Sequence, residues 1–294
     1  MTSLIALRTG FQQAWRYRRS ILAMYLATLL LAGLAAWPLR ALLQAEVGHS
    51  AWVQEMMKGF DYTFLNDFWQ NYGAGFIPVF NQSVVLLGAY FLLLVFLTGG
   101  LANLLVQQPA TFDRAVFWGG SATYFWRMWR LTLFFWCLHA LVLALFGGLY
   151  YQVTKGLSPM ALDNEGIITA CLRWLVPLYL LVAALFFMVQ DYAKLVLIQG
   201  DYRWIWPAVK RAFLFNRRHF RQTYGLYLLN MGLLGLLLGV NYYLSTALQV
   251  TTTTTILVSF LLSQLFVLAR YGLKVVNLSS AVTLLGVEQT KKGD

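Results

Sequence analysis

The sequence predicts an all-α polytopic transmembrane helix bundle with six crossings and both termini on the cytoplasmic side. Six apolar stretches, at about 20–39, 77–106, 131–153, 173–198, 223–248 and 255–274, each reach the roughly 20 residues a helix needs to cross hydrocarbon. Only 11% of the 294 residues are charged and 60% are hydrophobic, with a mean hydropathy of +0.63, whereas a soluble domain carries about 25% charged residues. If the amino terminus is inside, 18 of the 22 Lys and Arg residues fall on the inner side and four, Arg40, Lys58, Lys155 and Arg173, on the outer. Retention of Lys and Arg on the cytoplasmic side during insertion produces this asymmetry.

The net charge of +11 therefore reads as a topogenic signal facing anionic headgroups, and no nucleic-acid partner is expected. The whole chain is expected to be one integral membrane domain of a bacterial inner membrane. Cys137 and Cys171 fall in or beside apolar stretches without the spacing of a metal site or redox pair, and are expected to be reduced.

Residues 1–19 read as an amphipathic interfacial helix, with Leu4, Ile5, Leu7, Phe11 and Trp15 forming its apolar stripe between Arg8, Gln12 and Arg16. The first crossing is longer than a signal-peptide core and five more follow, so it is expected to be retained. Pro38 is expected to bend or end it, because proline removes a helical hydrogen bond.

Outside, at about 51–72, Trp52, Met56, Phe60, Phe64 and Phe68 recur every four residues and predict an interfacial helix with an aromatic stripe, an interface candidate. Thr98, Gly99 and Gly100 in the second crossing permit a kink or a close neighbour. The inner segment 109–122 reads as a short helix, a turn at Gly119 and Gly120, and the start of the third crossing, with Thr111 and Ser121 as candidate N-caps.

The third crossing carries His139, the single candidate cofactor ligand, which could hold a haem or pigment or simply hydrogen-bond to another helix. No other cofactor and no metal is expected. At the end of the fourth crossing, Asp191 and Lys194 are three apart and can pair on one helical face. The inner segment 201–218 reads as a surface helix with Trp204, Ile205, Val209, Ala212 and Phe213 on one face and the interface candidates Lys210 and Arg211 on the other.

In the fifth crossing, Gly225, Gly232 and Gly239 recur every seven residues with Gly235 beside them, a smooth face for helix packing within the chain or between protomers. Beyond the sixth crossing, 275–288 reads as an interfacial continuation. No internal duplication is evident in the sequence.

Three places resemble a family of uncharacterised bacterial six-helix integral membrane proteins. They are Gly48-His49-Ser50 running to Gly59-Phe60-Asp61-Tyr62, Thr98-Gly99-Gly100 with Tyr124-Phe125-Trp126-Arg127, and Asp191-Tyr192-Ala193-Lys194. The resemblance implies the fold and the membrane location and no chemistry.

The chain has no phosphate-binding loop, nucleophile elbow, zinc-protease helix or dinucleotide fingerprint. The leading expectation is a non-catalytic scaffold or subunit of a larger membrane assembly, whose partners are membrane lipids and other membrane subunits or further copies of itself. The alternatives are an ABC-type permease half working with a cytosolic ATPase, and a haem- or pigment-binding subunit.

Overall fold

The computed structural model describes residues 3–46, 62–154, 165–248 and 252–293. Trp52, Met56 and Phe60 lie outside them, and Phe64 and Phe68 are described only as backbone positions. The described residues fold as eight helices: α1 (Ser3–Arg16), α2 (Arg18–Glu46), α3 (Tyr62–Gln107), α4 (Arg114–Val153), α5 (Glu165–Gln199), α6 (Ile205–Arg218), α7 (Phe220–Ala247) and α8 (Thr253–Gly293). Six of them, all but α1 and α6, are long and apolar enough to cross a membrane.

Several boundaries differ from the sequence expectation, each for a physical reason. Residues 62–72 are not a separate interfacial element but the first turns of α3, a helix of 46 residues and so about 69 Å long. Pro38, Pro78 and Pro177 sit inside continuous helices, where intact bonds on either side carry the chain past one missing donor. The segment 109–122 contains no turn at Gly119 and Gly120. Instead α4 starts once, at Arg114, because the Asp113 carboxylate caps the amides of Ala115 and Val116.

Residues 275–288 are not a separate element either. They continue α8 into the best-packed region of the molecule, where Val275, Val276, Leu278, Ser279, Ser280 and Ala281 are buried. Burial is concentrated at one end of the bundle, built from α1, the end of α3, the start of α4, the end of α5, α6 and the end of α8. Towards the other end the helices expose most of their apolar residues, including Leu30, Trp37, Val85, Leu145, Trp174 and Leu236.

The packed end is made of one joint used three times. A short helical segment precedes each of α2, the membrane-crossing part of α4, and α7, and packs on the end of a different crossing helix. α1 packs on α8, the first turns of α4 on α3, and α6 on α5. The joints are tied in a ring. The Tyr17 hydroxyl donates to the Pro109 carbonyl at 2.8 Å, Arg127 meets Asp201 at 2.5 Å, and the Ser3 hydroxyl donates to the Gln222 carbonyl at 3.4 Å. Equivalent turns follow α3 and α5, each with a non-glycine residue in left-handed conformation, Gln108 at φ 48° and Asp201 at φ 43°.

This repetition is invisible in the composition of the short helices but clear in their register. α1 and α6 have 14 residues each, and the buried fourth, eighth and twelfth positions are Ala6, Gly10 and Ala14 in one and Ala208, Ala212 and Asn216 in the other. Small residues let the backbones approach while bulky ones turn outward. The expected apolar stripes are split: Leu4, Ile5, Phe11, Trp15, Trp204 and Phe213 are exposed, while Leu7, Ile205, Val209 and Ala212 pack on the core.

Candidate functional site

Three crossing helices, α3, α5 and α8, bring polar side chains together where the packed end meets the open one. Lys194 Nζ lies 2.8 Å from Asp191 Oδ1, with side chains 13% and 20% exposed. The other Asp191 oxygen accepts from Asn277 Nδ2 at 2.8 Å, and Asn277 Oδ1 accepts from Asn230 Nδ2 on α7 at 3.3 Å. Lys274 Nζ donates to the Thr98 hydroxyl at 2.7 Å, and that hydroxyl donates to the Leu94 carbonyl at 2.6 Å.

Burying charge is tolerated only where partners replace water, and each of these groups has found one. The pairing of Asp191 with Lys194 is the one the sequence predicts. Lys274 differs from expectation, since its place at the end of the sixth apolar stretch puts it among the topogenic charges. Helix α8 continues past it, and Lys274 faces the bundle, where it meets Thr98 of α3. The signal the sequence offers for this is Asn277, Ser279 and Ser280, polar residues that recur along the same apolar helix beyond the lysine.

A polar track leads from this cluster towards the open end. On α8, Gln264, Tyr271 and Lys274 are spaced seven and three apart and share a face. Tyr25 on α2 donates to Gln264 at 3.0 Å, and Tyr271 hydrogen-bonds to Thr28 of α2 and lies 3.4 Å from the Tyr90 hydroxyl of α3. Beside the track, a cavity of about 130 Å³ is lined by Lys194, Lys274, Thr98, Thr132, Phe91 and Met128. Compared with protein-family models, curated proteins and solved structures, the chain matches none.

The remaining candidates sit apart from this cluster. His139 Nδ1 lies 2.7 Å from the Phe135 carbonyl, which can only accept, so in the neutral ring Nδ1 carries the proton. Its Nε2 is buried without a hydrogen-bond partner, and the ring lies against Phe187 with centroids 4.1 Å apart. The described residues contain no group of three His, Cys, Asp or Glu that could hold a metal ion. Lys210 and Arg211 are exposed on α6, and Arg211 lies over the Tyr202 ring at 5.3 Å.

Close helix approaches inside the chain use glycines other than those of the fifth crossing. A side chain at Gly100 would collide with Ser121 and the Phe117 carbonyl, one at Gly120 with Asn103, and one at Gly10 with the Val276 carbonyl at 2.8 Å. At Gly225, Gly232, Gly235 and Gly239 it would meet nothing within 4 Å. The α7 glycine face is thus unoccupied by any described part of the chain.

Two apolar grooves repeat the logic of the joints. One, of about 780 Å³, runs between α1, α2, α7 and α8 with Arg18 and Arg19 in its lining. The other, of about 740 Å³, runs between α4, α5, α6 and α7 with Lys210 and Arg217 in its lining. The ninth residue of each short helix, Phe11 or Phe213, forms part of the wall.

Proposed function

We propose that the chain is a non-catalytic inner-membrane protein that works as a scaffold or subunit of a larger membrane assembly, with both termini cytoplasmic. The observation that carries this reading is the glycine face of α7, which meets none of the described residues, combined with packing that among the described residues is dense at one end only. A helix surface smooth enough for close approach, left without a neighbour among the described residues of its own chain, suits a second transmembrane helix. The partner is another membrane subunit or a further copy of this chain. A tagged chain extracted from its native membrane at native abundance should carry such a companion, and a chain that extracts alone overturns the proposal.

Charge supports the orientation. Both apolar grooves beside the packed end are lined by two cations, as expected where hydrocarbon meets an anionic inner leaflet. With the native cysteines replaced, a cysteine introduced at Thr252 should react with a membrane-impermeant thiol reagent in intact cells. One introduced at Trp204 should react only after permeabilisation. The reverse pattern would invert the topology.

A further inference from the structure

We propose that the cavity between α3, α4, α5 and α8 binds a small anion, a halide or a single phosphate group, held by Lys274 and Lys194. Two ammonium groups line one space, yet among the described residues the cluster contains a single carboxylate. Asp191 is engaged on both oxygens, by Lys194 and Asn277. Lys274 is bonded to a neutral hydroxyl, and of the charges around it Lys194 and Arg270 are of like sign while Asp191 alone opposes them.

An excess positive charge partly withdrawn from water favours an anion as its counter-ion. The size of the space suits a small ion: about 130 Å³ is several times the roughly 10–15 Å³ that one water needs on the same measure. The Thr98 and Thr132 hydroxyls donate to the Leu94 and Met128 carbonyls, so the two ammonium groups supply the donors for the anion, and the track through Tyr271 and Gln264 gives a polar approach.

The phosphate group could come from solution or from a lipid headgroup, and the test separates the two. Protein freed of lipid in a neutral detergent is titrated with sodium chloride, sodium phosphate or phosphatidylglycerol while its thermal midpoint is followed. Sodium gluconate, whose larger organic anion lacks the compact charge of chloride or phosphate, controls for ionic strength. A saturable rise in the midpoint with chloride or phosphate identifies a free anion, and a rise with phosphatidylglycerol alone identifies the headgroup.

Either rise should disappear in Lys274→Met, which leaves a neutral Lys194 and Asp191 pair. In Asp191→Asn the charge changes in the opposite sense, and anion affinity should increase about tenfold, the effect of one added charge at close range. A purely structural role for the cluster would weaken both variants without this opposite response. The proposal is overturned if no anion stabilises the wild type more than gluconate does, or if the response survives in Lys274→Met and is unchanged in Asp191→Asn.

Discussion

Gly100→Leu should destabilise the protein by about 3 kcal/mol or more, at the upper end of what overpacking costs. The atoms a side chain would meet are the Ser121 hydroxyl and the Phe117 carbonyl, and the second belongs to the backbone of a continuous helix. It cannot rotate away as a side-chain tip would. The joint between α3 and α4 must open, and with it the hydrogen bond from Asn103 Nδ2 to the Val116 carbonyl at 2.9 Å. A fall of roughly 6–12 °C in the thermal midpoint in detergent is the expected readout. Gly232→Leu, on the face that meets none of the described residues, should leave the midpoint of the isolated chain unchanged.

Asp191→Ala should be nearly as damaging. It strips Lys194 of its counter-charge and Asn277 of its acceptor in one step, and breaking a buried ion pair from one side costs about 3–5 kcal/mol. The lower part of that range applies, since both side chains retain some exposure. The pair of Arg127 with Asp201, whose carboxylate side chain is 72% exposed, should contribute under about 1 kcal/mol. Comparing thermal midpoints of Asp191→Ala and Arg127→Gln checks this order, and equal losses would refute it.

The crossings are legible in the sequence because bilayer thickness sets a length that composition reveals directly. The Asp191 and Lys194 pair is legible because it is local, three residues apart on one helix. The joints are not, because they depend on which helix each short segment meets. Ala6, Gly10 and Ala14 look inconspicuous beside Phe11 and Trp15, yet in a membrane the small residues mark the contact and the large ones the lipid side. Lys274 is hidden for a similar reason: its partner Thr98 is 176 residues away.

The free α7 face is tested most directly by photo-crosslinking in native membranes. A photoreactive residue placed at Gly232 or Gly239 should give a discrete adduct with one protein, while the same residue at exposed Val85 on α3 gives none. Adducts with lipid alone at both glycine positions would contradict the assembly role.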